Sequence, residues 1–181
     1  MILASQSPRR KELLTRVVSE FKVEPATIDE KKQPQETPEA YVLRMAAEKA
    51  AKLSKKYPEE LILASDTVVV LENKVLGKPQ DEKEAVEMLK ALSGKTHEVL
   101  TSICLQQGTK KALQVVKCAV TFYPLTLEEI KAYVETKEPF DKAGSYGIQG
   151  QGALLIEKIN GDYYAVMGLP VATVKRMLAS F

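Results

Sequence analysis

The chain has 181 residues, of which 45% are hydrophobic and 28% charged, a composition that supports a folded core and excludes a disordered tail. Its 26 basic and 24 acidic residues leave a net charge of +2, which argues against a nucleic-acid-binding protein held by phosphate contacts. The single histidine, His97, excludes any site that needs two histidines, and Cys104 and Cys118 do not form a C-x-x-C pair.

The elements of the first half alternate between strand and helix. Residues 2–4 predict a buried strand, and Ser7 followed by Pro8 predicts a helix that reaches Val17. A second strand is expected at 21–23, and the polar stretch 26–36 is expected to be a loop.

A second helix and an interrupted strand follow. Thr37 and Pro38 predict a helix start by the same cap-then-proline pattern. Residues 61–64 form an apolar run typical of a strand covered on both faces. We expect this strand to end at Asp66 and extended structure to resume at 68–71, before a turn.

The second half adds two expected hairpins. Asp81 with Glu84 predicts a capping box and a helix that ends near Gly94, and Thr126 with Glu129 predicts another that reaches Thr136. The remaining elements are a hairpin of strands 97–105 and 113–122, a second hairpin of strands 153–159 and 163–166, and a last helix that begins at Leu169-Pro170.

Strands and helices interleave with hairpins, which predicts an α/β domain with a mixed sheet. No linker separates two units, so residues 1–181 are expected to form a single domain. The apolar start is too short for a signal peptide, and no run approaches the roughly 18 apolar residues that cross a bilayer. We therefore expect a soluble cytoplasmic protein that has reduced thiols and no membrane partner.

The first candidate for chemistry is Ser5-Gln6-Ser7-Pro8-Arg9-Arg10. A strand leads directly into a capped helix start, where hydroxyls and two guanidinium groups are suited to phosphate oxygens. The pattern is typical of a polyphosphate-binding turn. A capped helix with a solvated basic face is the alternative for this segment alone.

Four further segments offer charged side chains. Asp66 follows an apolar strand, where a carboxylate holds Mg²⁺ or orients a water molecule, or else only caps a turn. Lys78 lies between Gly77 and Pro79 in a tight turn, and Lys49 lies on a helix edge; an ordinary turn and a solvated lysine are the alternatives. Glu30, in the loop beside Asp29, is a candidate oxygen ligand for a divalent cation.

The segment Ser145-Tyr146-Gly147-Ile148-Gln149-Gly150-Gln151-Gly152 concentrates the glycines. It is neither a Walker loop nor a dinucleotide fingerprint, because no Gly-Lys-Ser/Thr follows and it leads out to a strand. Glycines permit close approach of the backbone, and the amide of Gln149 is able to pair with the edge of a nucleobase. A tight loop without a ligand is the alternative.

Together these segments resemble the Maf family of nucleoside triphosphate pyrophosphatases. The match covers the four motifs Leu3-Ala4-Ser5-Gln6-Ser7-Pro8-Arg9-Arg10, Ala64-Ser65-Asp66-Thr67-Val68-Val69, Gly77-Lys78-Pro79 and Ser145-Tyr146-Gly147-Ile148-Gln149-Gly150, in the family's order. The resemblance implies a mixed α/β fold like that of the inosine triphosphatases, with an elongated sheet, flanking helices and two lobes around a cleft. It also implies hydrolysis of a nucleoside triphosphate to the monophosphate and pyrophosphate with Mg²⁺ or Mn²⁺.

The resemblance also implies roles for individual residues. Asp66 matches the proton acceptor, and with Glu30 it is our candidate metal ligand. Positions tied to substrate choice are Arg9, Thr67 and Gln149, and polar positions that line the cleft are Ser7, Arg10, Glu30, Lys49 and Lys78.

The subgroup that the motifs resemble acts on dTTP and UTP, which implies removal of non-canonical nucleotides, among them modified pyrimidine nucleotides. The resemblance is also consistent with a homodimer, and no stable nucleic-acid partner is expected. The alternative function is a nucleotide-sensing inhibitor of septum formation that acts through a protein partner.

Overall fold

The computed structural model describes all 181 residues. The strands are β1 (Ile2–Leu3), β2 (Lys22–Val23), β3 (Ile62–Leu71), β4 (Lys74–Leu76), β5 (Thr96–Gln107), β6 (Lys110–Phe122) and β7 (Ile156–Asn160). The helices are α1 (Pro8–Leu14), α2 (Pro38–Lys56), α3 (Glu82–Leu92), α4 (Leu127–Glu135), α5 (Tyr163–Met167) and α6 (Val171–Ser180). Three short 3₁₀ helices cover Glu138–Asp141, Ala143–Ser145 and Gly150–Leu155.

One seven-stranded mixed sheet organises the chain. Its order is β2-β1-β3-β5-β6-β7, and β4 also pairs with β3. Strand β1 runs parallel to β2 and β3, whereas all other pairs are antiparallel. The mixed α/β fold predicted from the sequence is confirmed.

Strand β3 carries a gap along one of its edges. Its other edge pairs with β5 from Ile62 to Val70 without interruption. On the gapped edge, β1 pairs with β3 at Ile62 and Leu63, and β4 pairs with it only from Val69 onward. The intervening residues have no neighbouring strand on that side, so the sheet opens there and Asp66 lies in the middle of the opening.

Two buried cores lie on either side of this opening. The first, here the α3 lobe core, has 14 buried residues and joins α3 and α4 to the sheet around Val69 and Leu89. The second, here the α6 lobe core, has 10 buried residues and joins α1 and α6 to the sheet around Leu63 and Val174. Helix α2 packs its small residues, including Ala46, against the opposite face of the sheet. The chain therefore has two lobes around a cleft, as expected.

The expectation that β3 ends at Asp66 is wrong. Residues 62–71 form one strand, and Asp66 pairs with Ser102 of β5 within the uninterrupted ladder. The polar triplet Ser65-Asp66-Thr67 resembles a break in an apolar pattern, but antiparallel pairing with β5 continues through it along one edge of the strand. Asp66 is therefore fixed by a rigid strand and not by a strand end.

The prediction of a second hairpin is also wrong. The run 163–166 is helical, within α5, because Asp162 accepts hydrogen bonds from the backbone N–H groups of Tyr164 and Ala165. Gly168 ends the helix at φ 114°, a backbone angle that favours glycine. The expected strand at 153–159 is shorter too, because its first part is a 3₁₀ helix.

Most helix starts follow the cap pattern, with one difference at α3, and the end of α1 also differs from the prediction. Thr126 and Glu129 form the reciprocal capping box at α4. At α3, Asp81 caps the backbone of Glu84, but the Glu84 carboxylate accepts instead from Gln80. The first helix stops at Leu14, short of the predicted end.

Candidate functional site

A cavity of about 970 Å³ opens between the two lobes at the gap in β3. All nine site residues predicted from the sequence line it, namely Ser7, Arg9, Arg10, Glu30, Lys49, Asp66, Thr67, Lys78 and Gln149. They come from the first helix start, the loop before α2, α2 itself, strand β3, the turn after β4 and the glycine-rich segment. The structure thus brings together residues that lie far apart in the sequence.

A lysine bridges two carboxylates at one side of the cavity. Lys49 is buried on α2, and its Nζ lies 2.6 Å from Asp66 Oδ1 and 2.7 Å from Glu30 Oε1. Glu30 is exposed, whereas Asp66 is mostly covered. The second carboxylate oxygen of Asp66 has no protein partner and is available to a ligand or a water molecule. The solvated lysine considered from the sequence is not what the structure shows.

Arg10 is held in place by the floor of the cavity. Its Nε donates to the carbonyl of Gly168 at 2.9 Å, and its Nη2 donates to Thr67 Oγ1 at 3.0 Å. Thr67 lies 2.9 Å from the hydroxyl of Thr101, which donates to the Ala165 carbonyl. Burial lowers the pKa of Arg10, yet a guanidinium keeps its charge in proteins. The chain of hydrogen bonds fixes this cation and leaves Nη1 free of protein partners.

Three other cationic side chains line the cavity. Arg9 Nη1 lies 3.1 Å from Asp141 Oδ2, a contact that joins α1 to the opposite lobe. Lys142 Nζ lies 2.6 Å from the other oxygen of Asp141. Lys78 is exposed and has no acidic partner. These side chains are placed where an incoming anion would meet them.

The start of α1 contributes hydroxyls to the same region. Ser7 caps the helix by accepting from the backbone N–H of Arg10 at 3.3 Å. Ser5 Oγ in turn accepts from the backbone N–H of Ser7 at 3.1 Å. The two interpretations of this segment are therefore compatible, since Ser7 caps the helix and also lines the cavity.

Gln149 lies on the wall that the glycine-rich segment forms. Its amide makes no hydrogen bond within the protein, although the residue is partly buried and lines the cavity. Two residues that the sequence reasoning missed, Tyr133 and Glu138, form hydrogen bonds to the backbone of this segment, and Glu138 also lines the cavity. The only sequence signal that points to Tyr133 and Glu138 is the glycine cluster. Glycines allow the backbone to approach neighbouring side chains closely, so a cluster of them indicates that such neighbours exist.

His97 belongs to the core beside this wall. Its Nε2 lies 2.6 Å from the Tyr146 hydroxyl, and its ring packs edge-on against Phe122. Burial lowers the pKa of His97 to about 4, so the ring is neutral at physiological pH. It does not line the cavity, which agrees with a structural role.

The residues present fit a divalent cation in part. Glu30 and Asp66 converge on Lys49 and offer hard oxygen donors of the kind that Mg²⁺ and Mn²⁺ prefer. No third acidic, histidine or cysteine side chain joins them in a metal-binding cluster. Water molecules and phosphate oxygens of a ligand would complete the coordination.

The charges of the cavity give a second reason for a cation. The lining contains five cationic residues (Arg9, Arg10, Lys49, Lys78, Lys142) and four acidic residues (Glu30, Asp66, Glu138, Asp141). An excess of one positive charge does not neutralise a triphosphate. A bound divalent cation would supply two of the missing positive charges.

The comparisons with known proteins agree on one family. A family model described as Maf-like protein matches residues 1–181. A protein of Latilactobacillus sakei subsp. sakei is 50% identical over 177 residues, 98% of each chain. One from Carboxydothermus hydrogenoformans is 50% identical over 97% of this chain and 95% of its own, and one from Bacillus pumilus is 46% identical over 100% and 96%. All three are named dTTP/UTP pyrophosphatase.

Proposed function

Because the chain belongs to the Maf-like family, we propose that it is a hydrolase that converts dTTP and UTP to the monophosphate and pyrophosphate. The observation that carries this proposal is a cavity that combines fixed cations with one carboxylate on a rigid strand, in a chain whose relatives bear that activity in their names. Removal of non-canonical pyrimidine nucleotides is the role that we propose for the reaction.

The triphosphate would bind along the fixed cations. Arg10 lines the cavity and its Nη1 has no protein partner, and Arg9 and Lys78 line the same cavity. Arginine matches phosphate oxygens with two parallel hydrogen bonds, and lysine supplies a mobile point charge. Preorganised cations stabilise the charge that develops on the leaving pyrophosphate without having to reorganise during the reaction.

Asp66 would activate the attacking water molecule. Lys49 engages Oδ1 at 2.6 Å, which orients the carboxylate and leaves Oδ2 to accept a proton. As water oxygen bonds to the α-phosphorus, its proton passes to Asp66 and the bond from the α-phosphorus to the bridging oxygen breaks. Pyrophosphate leaves, and no covalent intermediate with the enzyme is needed.

We propose Glu30 and Asp66 as the protein ligands of a divalent cation, Mg²⁺ or Mn²⁺. When bound, such a cation neutralises phosphate charge and polarises the phosphoryl oxygens. Lys49 touches both carboxylates and keeps them within reach of each other.

Gln149 is the proposed base-reading residue. Thymine and uracil present an N3–H donor beside the O4 acceptor, and a glutamine amide is able to meet both. Cytosine presents the opposite pattern at these positions, so the same amide orientation does not suit it. Thr67 and Arg9 are proposed to contribute to substrate choice through their places in the cavity.

The setting of the enzyme is proposed on more general grounds. No helix is sufficiently long and apolar to cross a membrane. Cys104 and Cys118 are buried and unpaired, as is usual for proteins of a reducing compartment. We propose a cytoplasmic enzyme, and the homodimer and the absence of a stable nucleic-acid partner stay predictions.

A panel of nucleotides tests the proposed function. Purified protein would be incubated with dTTP, UTP, dCTP and dGTP, with Mg²⁺, with Mn²⁺ or with chelator, and the products would be separated by ion-exchange chromatography. We expect monophosphate and pyrophosphate from dTTP and UTP only when a metal is present. Release of inorganic phosphate would contradict the proposed bond cleavage. Saturable binding without product would favour the nucleotide sensor that acts through a protein partner.

A further inference from the structure

The carboxylate of Glu138 holds one end of the glycine-rich loop, defined here as residues 147–152. Its Oε2 accepts from the backbone N–H of Gln151 at 3.0 Å, and its Oε1 accepts from that of Gly152 at 3.4 Å. Glu138 is half-buried at the start of a 3₁₀ helix. A carboxylate that receives two backbone N–H groups is a strong local anchor, because hydrogen bonds to a charged acceptor exceed neutral ones in strength.

The other end of the loop reaches the same carboxylate through a tyrosine. The hydroxyl of Tyr133 accepts from the backbone N–H of Gly147 at 3.3 Å and lies 3.5 Å from Glu138 Oε1, to which it donates. Tyr133 is buried, and burial raises the pKa of its hydroxyl. Both ends of the loop therefore converge on Glu138, and Gln149 lies between them.

The glycines of the loop are required by this arrangement. A Cβ on Gly152 would lie 2.2 Å from the carbonyl oxygen of Gly147, so the two ends touch. Gly150 has φ +65°, and a Cβ there would lie 2.8 Å from each carboxylate oxygen of Glu138. The loop is thus closed around the glutamate, which accounts for the glycine cluster seen in the sequence.

We propose that Glu138 is the positioning residue that holds Gln149 in place and thereby sets base selectivity in the cavity. This inference rests on the proposed pyrimidine triphosphate hydrolysis. Glu138 also lines the cavity, but both of its carboxylate oxygens accept N–H groups of the loop, so it acts through the loop backbone and Gln149. The phosphates are held by cations on other elements. Loss of Glu138 should therefore weaken recognition of the base much more than it slows cleavage.

Hydrogen exchange tests the anchor without reference to activity. In Glu138→Ala, the amides of Gln151 and Gly152 lose their acceptor, so we expect their exchange, followed by NMR, to accelerate by about tenfold or more. Tyr133→Phe should accelerate Gly147 alone. Glu135→Ala is the matched control, since Glu135 is exposed three residues earlier and its side chain makes no hydrogen bond. Unchanged exchange in Glu138→Ala would overturn the anchor.

A double-mutant cycle tests the link to Gln149. For Glu138→Ala we expect KM for dTTP to rise about tenfold, kcat to change less than about threefold, and the preference for dTTP over dCTP to fall about tenfold. In a Gln149→Ala background, Glu138→Ala should change that preference by less than about twofold. Glu138→Gln, which keeps one acceptor oxygen, should recover part of the preference.

The outcomes distinguish failure of the proposed function from failure of the proposed role of Glu138. An inactive wild-type protein would overturn the proposed function and the selectivity role together. An active wild type whose Glu138→Ala variant keeps its base preference would overturn the selectivity role alone. Additive effects of Glu138→Ala and Gln149→Ala on that preference would likewise exclude action through Gln149.

Discussion

At the scale of single residues, the proposed mechanism depends on Asp66. For Asp66→Asn we expect turnover of dTTP to fall by at least about 100-fold, because an amide cannot accept the proton of the attacking water. Lys49 keeps Glu30 as a partner, so the melting temperature should change little. Steady-state kinetics and circular dichroism together check both statements.

The neighbouring acid provides the control for that variant. Asp29 precedes Glu30 but does not line the cavity, and in Asp29→Asn the side-chain oxygen still accepts from the backbone of Lys31. Asp29→Asn should retain nearly full activity. If Asp66→Asn turns over dTTP as fast as Asp29→Asn does, then Asp66 is not the base.

His97 gives a second prediction at this scale, in the pH dependence of stability. Burial lowers its pKa to about 4, whereas an unfolded histidine titrates near 6.5. Between these two values the unfolded chain binds a proton that the folded chain excludes, so stability falls as the pH falls from 6.5 toward 4. The loss amounts to about 3 kcal/mol over the full window. Above pH 6.5 the residue adds no pH dependence.

NMR checks this directly, because the chain has a single histidine. We expect the chemical shifts of its ring to stay at the values of the neutral form between pH 8 and pH 5. An ordinary histidine would titrate within this range. A titration midpoint near pH 6.5 would contradict the buried environment. Urea denaturation of His97→Gln should show a weaker dependence on pH over the same window.

At the scale of elements, local sequence patterns predicted where helices start better than where helices and strands end. Ser7, Thr37 and Thr126 were expected to cap helices, and each side chain accepts the expected backbone N–H. Such caps are local, so three or four residues are enough to specify them. The sequence also showed which residues line the cleft, through motifs that match a family.

The errors arose where distant partners decide the structure. Asp66 was expected at a strand end, but β5 continues the ladder through it. The anchor at Glu138 was missed because 3₁₀ segments and their backbone contacts leave no periodic pattern. Long-range pairing and loop packing are set by tertiary contacts, which a single sequence does not display.

The glycine-rich loop offers a prediction for an element. Gly152→Ala should lower the free energy of unfolding by about 1–3 kcal/mol, because the added methyl group collides with backbone that has little room to move. Gly77→Ala is the matched control, since nothing lies within 4 Å of a Cβ there. It should be neutral or slightly stabilising. Chemical denaturation of both variants measures the difference; equal stabilities would show that the loop is not tightly packed.

At the scale of the whole molecule, the cleft divides two lobes that share strands. Strand β3 contributes Leu63 to the α6 lobe core and Val69 to the α3 lobe core. Strand β5 likewise contributes Ile103 to the former and Val99 to the latter. The opening in the sheet is therefore confined to one edge, and the two halves of the cavity are joined by continuous hydrogen-bonded strands.

This continuity predicts that the 181 residues unfold as one unit, which is the single domain expected from the sequence. A core on one side cannot dissolve without exposing strand residues that the other side also needs, so no half-folded state should accumulate. The test is urea denaturation followed by the NMR methyl signals of Leu89, in the α3 lobe core, and Val174, in the α6 lobe core. Coincident midpoints and equal slopes would support one cooperative transition. Separate midpoints would show two units that meet at the cleft, and the shared strands would then be too weak to couple the lobes.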